Sequence, residues 1–116
     1  MNHTESLKSN NDFKEIYRTG KSYANKYLVM HVKKNEFDGN RLGISVSKKV
    51  GNSVVRHRIT RLIRESYRLT EDRLCNGLDI VVVARIGAKD KDYTEIESAV
   101  LHLVKLHKIG KESRNS

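Results

Sequence analysis

The sequence predicts an α+β fold, a two-layer sandwich in which helices pack on a small mixed sheet. Three observations predict it: alternating strand-like runs, one unbroken apolar run bounded by glycines, and amphipathic segments with helical spacing. The predicted order is helix, two or three strands, helix, strand, helix. The 116 residues, 37% of them hydrophobic, suffice for a single domain with one modest core, and we expect residues 1–8 and 111–116 to be frayed.

The first helix is predicted from its ends, and the first strand from alternation. Ser9 followed by Asp12 resembles a capping box, and Gly20 ends the segment. Between Tyr23 and Lys34, apolar and polar residues alternate as in a half-buried strand. The pair Asp38–Gly39 then predicts a turn into the next strand.

That next strand, predicted from Arg41 to Ser47, has two different faces. One face carries branched apolar side chains, and the other carries Gly43, Ser45 and Ser47. The small face leaves room for a ligand.

Two later elements complete the predicted fold. Leu78 to Ala84 is an unbroken run rich in β-branched residues, which predicts a strand buried on both faces at the centre of the sheet. Thr94 with Glu97 predicts the start of a last helix, and Gly110 its end.

Positive charge is concentrated in one segment. Residues 41–68 hold eight lysines and arginines and one acid, a net +7 of the chain's +9. Within it, residues 48–68 form a glycine-containing turn followed by a basic amphipathic helix. Helical spacing puts Val55, Ile59, Leu62, Ile63 and Ser66 in one stripe, which is apolar except for Ser66. Ordinary solvated faces mix both signs of charge, so this one indicates a binding site for a polyanion.

The type of basic residue indicates the chemical class of the binding partner. Arginine dominates the helix, and its planar fork can bridge phosphate oxygens and stack on bases, which favours RNA or DNA over an acidic protein. The amides of the turn and the helix N-terminus can hold a phosphate. No glycine motif of a nucleotide-binding site occurs, so nucleotide hydrolysis has no support.

Signals for catalysis by the protein itself, or for a resident metal, are thin. The five histidines are scattered, and acids between Asp90 and Glu97 are explained by helix capping. The lone Cys75 agrees with a reducing compartment. Since no apolar run of about 20 residues and no signal-peptide core is present, we expect a cytoplasmic protein.

The basic segment carries a family resemblance. Residues 41–65, RLGISVSKKVGNSVVRHRITRLIRE, resemble the arginine-rich signature of the bacterial ribonuclease P protein subunit, and the likeness extends over most of the chain. The resemblance implies a small protein that binds a catalytic RNA and assists removal of the 5′ leader of precursor tRNA. It also implies a ribosomal protein S5 domain 2-like fold with a left-handed βαβ crossover, against the usual right-handed rule.

Matching positions supply candidate contacts. For the catalytic RNA they are Lys48, Lys49, Asn52, Arg56, His57, Arg58, Arg61, Arg64 and Arg68. For the precursor leader, in a cleft between the first helix and the open sheet face, they are Phe13, Tyr17, Asn25, Lys26, His31, Ser45 and Arg85. Phe13 and Tyr17 would serve equally well as core residues.

The resemblance also implies partners and chemistry. The partners are the ribonuclease P RNA and precursor tRNA, with no membrane and no obligate protein partner. No catalytic side chain and no cofactor are expected in the protein alone, and Mg²⁺ is expected in the RNA-containing holoenzyme.

The chain departs from the family pattern at two positions. His57 replaces the usual asparagine, and Thr60 stands where lysine is usual. A neutral imidazole can still donate a hydrogen bond or stack on a base, whereas Thr60 removes a potential phosphate partner. Two alternatives remain open: an RNA- or DNA-binding, ribosome-associated module without a processing role, and a protein nuclease acting alone.

Overall fold

The computed structural model describes residues 4–111, which form a five-stranded sheet and three α-helices. The strands are β1 (Thr4–Ser6), β2 (Lys21–Ala24), β3 (Leu28–Lys34), β4 (Asn40–Ser45) and β5 (Leu78–Ala84). The helices are α1 (Asn10–Thr19), α2 (Ser53–Thr70) and α3 (Tyr93–His107). Short 3₁₀ turns follow α2 and β5, at Glu71–Arg73 and Ile86–Ala88. The α+β class is confirmed, and so is the predicted order apart from β1.

The strand order is β1-β4-β5-β3-β2, which puts β5 at the centre as its apolar run predicted. Strand β4 runs parallel to β5, and α2 connects them, so a βαβ crossover is present. Its left hand remains a prediction. The turn at Asp38–Gly39 does not close a hairpin, because β5 lies between β3 and β4 and pairs with both. Burial of an apolar strand on both faces is complete only in the sheet interior.

Alternation along β5 divides the core in two. Leu78, Ile80 and Val82 belong to the main cluster beneath α2 and α3, whereas Val81 packs with Ile16 in a smaller cluster beneath α1. Helices therefore lie on both faces, and α1 adds a partial third layer to the predicted two. The rest of the α1 face is open.

The expectation that residues 1–8 are frayed is wrong for the segment from Thr4 to Leu7. Strand β1 pairs in parallel with β4, and the Leu7 N–H donates to the Leu42 carbonyl at 2.8 Å. Leu7 is buried. These contacts cover part of the edge of β4, which would otherwise present unpaired backbone groups. The expected fraying of residues 1–3 and 112–116 lies outside the described residues.

Helix α3 starts earlier than predicted. Asp92, not Thr94, is the N-cap: its Oδ1 accepts from the Glu95 N–H at 2.9 Å, and Glu95 Oε2 accepts from the Asp92 N–H at 3.1 Å. Aspartate is at least as good a cap as threonine, so the upstream pair prevails. The helix ends at His107, followed by Lys108 as C-cap in the left-handed conformation at φ 57°, rather than at Gly110.

Candidate nucleic-acid interface

Helix α2 has one dry face and one cationic face. Ile59 and Ile63 are fully buried, and Asn52 caps the helix by accepting the Val55 N–H at 3.0 Å. The predicted RNA contacts that are exposed are Lys48, Lys49, Asn52, His57, Arg61, Arg64 and Arg68. Helix α2 and the turn before it thus together present most of the basic residues that the sequence singled out.

The turn before α2 is held against the helix by close packing. Val50 is buried, and a Cβ built on Gly51 would lie 2.7 Å from Val55 Cγ1. Glycine therefore lets the turn approach the first helical residues closely. As a result, Lys48 and Lys49 stand exposed beside the start of the arginine-rich face.

The arginines of α2 differ in how available they are. Within residues 4–111, the side chains of Arg61 and Arg64 make no hydrogen bond or ion pair. Arg68 instead donates to both oxygens of Glu65, at 3.0 and 2.5 Å, and these hydrogen bonds lower the pKa of Glu65. The charge of Arg68 is thereby partly offset, which leaves Arg61 and Arg64 as the freest guanidinium groups among these three.

Arg58 is largely committed to the protein. Its guanidinium donates to the carbonyls of Lys91 at 2.6 Å and Lys89 at 3.5 Å. These bonds tie the segment before α3 to α2 and bring the backbone of two further lysines beside the helix, while the Lys91 Nζ lies over the Tyr27 ring. The sequence analysis missed Lys89 and Lys91, because their alternation with Asp90 and Asp92 gives no local excess of charge.

Arg56 and Thr60 lie one turn apart on α2. Arg56 is half-buried, and its Nε is buried without a hydrogen-bond partner in the described part of the chain. Thr60 donates its hydroxyl to the Arg56 carbonyl at 2.9 Å. That hydroxyl is therefore used within the helix.

On the other face of the sheet, three rings form a series that runs along α1 and ends on β3. The helix begins after Ser9, as predicted, and projects Phe13 and Tyr17 with ring centroids 6.3 Å apart. The Tyr17 ring meets His31 edge-on at 4.9 Å, and Tyr17 is 40% exposed. Phe13 lies on Gly43, where a Cβ would come within 2.5 Å of Phe13 Cζ. The small face predicted for β4 thus receives an aromatic ring.

Strand register explains the rest of this surface. His31, Val81 and Gly43 align across β3, β5 and β4, and this row lies beneath α1. The next row consists of Val29, Val83 and Ser45, all half-buried. We call the space bounded by Phe13, Tyr17, His31 and this second row the α1 cleft. Val29 and Val83 were not singled out from the sequence, although strand alternation places them on the same face as His31.

The protonation state of His31 in the α1 cleft follows from the burial of its side chain. His31 Nδ1 is buried and has no hydrogen-bond partner among the described residues. Burial lowers the pKa of His31. The ring is therefore neutral near pH 7, which suits stacking and leaves the basic residues around the cleft to attract phosphates.

The remaining leader candidates gather where β2 and β5 end and β3 begins. Lys26 and Arg85 are exposed, and Arg85 Nη1 donates to the Asn25 carbonyl at 2.7 Å. The Asn25 side chain is engaged internally: Oδ1 accepts from the N–H groups of Tyr27 and Leu28, and Nδ2 donates to the Ala99 carbonyl at 3.0 Å. Asn25 therefore shapes this turn, and Lys26 and Arg85 provide its exposed charge.

The two surfaces approach each other at the edge of β4. A small cavity of about 110 Å³ there is lined by residues of both, including Arg64 from α2 and Phe13 from α1. Strand β1 ends at Ser6, which leaves this stretch of the edge accessible. One RNA body lying on α2 would thus be close to the α1 cleft.

Within residues 4–111, no group of three or more histidine, cysteine, aspartate or glutamate side chains is arranged to hold a metal ion. None of the helices in that part of the chain is long and apolar enough to cross a membrane.

Comparisons with known proteins agree with this geometry. A family model described as ribonuclease P matches residues 1–108. The chain belongs to the ribonuclease P protein family. The ribonuclease P protein component of Lachnoclostridium phytofermentans is 68% identical over 106 residues, which cover 91% of each chain. That of Clostridium botulinum is 54% identical over 100 residues, covering 85% of this chain and 90% of the relative.

Solved structures of ribonuclease P proteins share the fold. The protein from Staphylococcus aureus, at 42% identity, superposes with a TM-score of 0.85 over 90% of this chain and 96% of that one. The protein from Thermotoga maritima, at 34% identity, gives a TM-score of 0.80 over 88% and 96%. The α+β architecture expected from the resemblance is therefore confirmed as that of bacterial ribonuclease P proteins.

Proposed function

We propose that this chain is the protein subunit of ribonuclease P, which binds the catalytic RNA and the 5′ leader of precursor tRNA and assists endonucleolytic removal of that leader. The observation that carries the proposal is the placement of two different surfaces on one sheet. The cationic face of α2 suits a folded RNA, and the aromatic α1 cleft suits a single strand. Their approach near Arg64 and Phe13 supports simultaneous use of both.

The α2 surface supplies affinity through phosphate contacts. Each phosphate neutralised by lysine or arginine releases condensed counterions, which makes binding strong and salt-dependent. Arg61→Ala and Arg64→Ala are each expected to weaken association with the catalytic RNA. Each should also lower the slope of log K against log salt by about 0.7–0.9. An unchanged slope would exclude phosphate contact by that side chain.

The α1 cleft supplies positioning of the leader. Bases stack on aromatic rings whatever their sequence, so one cleft can accept many different leaders. Phe13, Tyr17 and neutral His31 provide the rings, and Lys26 and Arg85 provide nearby positive charge. Asn25 contributes by holding the turn that carries Lys26.

In this proposal the catalytic RNA carries out the cleavage reaction. Mg²⁺ held by the RNA activates water and stabilises the leaving oxygen. The protein binds and orients, and contributes no catalytic side chain. It works in the cytoplasm with the catalytic RNA and precursor tRNA as partners, without a membrane or an obligate protein partner. The buried, unpaired Cys75 is consistent with a reducing compartment.

The decisive experiment measures cleavage of a precursor tRNA by the matching catalytic RNA at low magnesium, with and without the protein. The protein alone is the control. We expect strong stimulation only in the combination. No stimulation would favour a plain RNA- or DNA-binding module, and cleavage by the protein alone would favour a protein nuclease.

A second experiment isolates the α1 cleft. Tyr17→Ala is expected to reduce holoenzyme affinity for precursor tRNA but not for mature tRNA, which lacks the leader. Phe37→Ala is a matched control, because Phe37 is also an exposed ring, 59% accessible, but lies in the loop between β3 and β4. Equal losses for precursor and mature tRNA would contradict the cleft assignment.

A further inference from the structure

A groove lies between α2 and the start of α3, away from the α1 cleft. Its volume is about 520 Å³, within the range of small-ligand sites. The groove is lined by Arg58, Arg61, Leu62, Arg64, Glu65 and Tyr93. It combines three guanidinium groups with one aromatic ring and one aliphatic side chain.

The aromatic wall of the groove is held in place. The Tyr93 hydroxyl donates to Glu97 Oε2 at 2.9 Å, one turn further along α3. Burial and this hydrogen bond raise the pKa of Tyr93, so the phenol stays protonated. The Arg58 bond to the Lys91 carbonyl fixes the segment just before the ring. A ring restrained in this way loses little conformational entropy when a partner stacks on it.

Charge in the groove favours an anion. Glu65 is the one acid of the lining, and Arg68 engages both of its oxygens. Arg58 is used by backbone carbonyls, so Arg61 and Arg64 are the cations available to a ligand. Leu62 adds one aliphatic side chain to the lining. A nucleotide, which has a flat base and a phosphate, matches both features, whereas an acidic peptide matches only the charge.

We propose that this groove takes one unpaired nucleotide of the catalytic RNA, with its base on Tyr93 and adjacent phosphates on Arg61 and Arg64. This inference rests on the proposed function and adds to it a base-stacking site on the α2 surface. Binding of a folded RNA through its phosphates alone would need only the arginines and no aromatic ring. The Tyr93 wall makes the surface selective for an RNA that exposes an unpaired base at this place.

The test measures affinity of the full chain for the catalytic RNA at several salt concentrations. Tyr93→Leu is expected to weaken binding about fivefold to 150-fold, the range of one lost stack, while the salt slope stays unchanged because no phosphate contact is lost. Tyr93→Phe keeps the ring and should bind nearly as well as the parent chain. Phe37→Leu is the matched control for loss of an exposed ring.

A second readout does not depend on affinity. The chain has no tryptophan, so Tyr93→Trp introduces a single indole at the groove. Stacking should quench its fluorescence when stoichiometric catalytic RNA is added, and Phe37→Trp should show no quenching. Full affinity of Tyr93→Leu together with an unquenched Trp at position 93 would overturn the proposal. If Arg61→Ala still lowers the salt slope in that case, the proposed function survives and only the nucleotide site fails.

Discussion

The guanidinium of Arg41 donates two hydrogen bonds to the carboxylate of Asp79 across the parallel strands β4 and β5. Arg41 Nε lies 2.8 Å from Oδ1, and Nη2 lies 2.6 Å from Oδ2. Asn35 donates to the same carboxylate at 2.9 Å. Burial alone would raise the pKa of Asp79, but the hydrogen bonds from Arg41 and Asn35 hold it below its usual value. Arg41, the first basic residue of the positively charged segment, therefore stabilises the fold and is not a free surface charge.

Asp79→Asn is expected to lower the free energy of unfolding by about 2–3 kcal/mol, because it removes the nearest counter-charge of the partly buried guanidinium of Arg41 and leaves it only Asp12, at 3.6 Å. Urea denaturation measures this. Glu15→Gln, which breaks the exposed pairs with Arg18 and Lys33, should have a much smaller effect. Equal losses for the two variants would show that burial of the Asp79 pair does not matter.

Acid is expected to destabilise the fold through His107. Its Nε2 donates to the Met30 carbonyl at 2.8 Å, and the Tyr23 ring packs on it. Burial lowers the pKa of His107, and the Met30 bond only partly opposes this. The folded pKa is therefore below the unfolded value of about 6.5, so the unfolded chain binds more protons as pH falls. The free energy of unfolding should decrease from about pH 7 downward until pH passes the folded pKa.

Urea unfolding between about pH 5 and 7.5 checks this expectation. His107→Gln should show a smaller decrease than the parent chain, because glutamine can still donate to the carbonyl but does not titrate. His31, whose pKa is also lowered by burial, contributes in the same direction. A variant with the same pH profile as the parent would contradict the role given to His107.

Gly43→Ala tests the contact between β4 and α1. The new Cβ would overlap the Phe13 ring, which must move, and we expect a loss of about 1–3 kcal/mol together with weaker binding of precursor tRNA. Gly110→Ala is the matched control, since its Cβ would meet only the Arg73 carbonyl at 3.8 Å. If both variants unfold at the same urea concentration, the Phe13 ring is not held against β4 as described.

Substitution of two neighbouring arginines, Arg58 and Arg61, should distinguish a side chain that stabilises the fold from one that is free at the surface. Arg58→Ala removes the bonds to the carbonyls of Lys89 and Lys91 and is expected to lower the stability of the free protein by about 1–2 kcal/mol. Arg61→Ala, which removes no described contact within the protein, should change it by less than about 0.5 kcal/mol. Thermal melting without RNA measures both. A destabilised Arg61→Ala would place its guanidinium in the scaffold as well.

Elements with a strong local pattern were predictable from the sequence. The stripe containing Ile59 and Ile63 predicted the buried face of α2, and the apolar run of β5 predicted its central place in the sheet. Hydrophobic periodicity indicates which side of a helix or strand is buried, so these predictions needed no tertiary information. The start of α3 was predicted two residues too late, because the pair Asp92 and Glu95 lies just before the predicted pair Thr94 and Glu97.

By itself, the sequence determined the fold class, the buried faces and the concentration of positive charge on one helix, since all three follow from spacing along the chain. The tertiary structure alone decided which of those charges are free. Arg41 and Arg58 are used inside the protein, whereas Arg61 and Arg64 are not. It also placed Tyr93 beside α2, although the two are far apart in sequence. Hydrogen-bond partners contributed by distant segments leave no periodic trace, and only the packing of strands and helices brings them together.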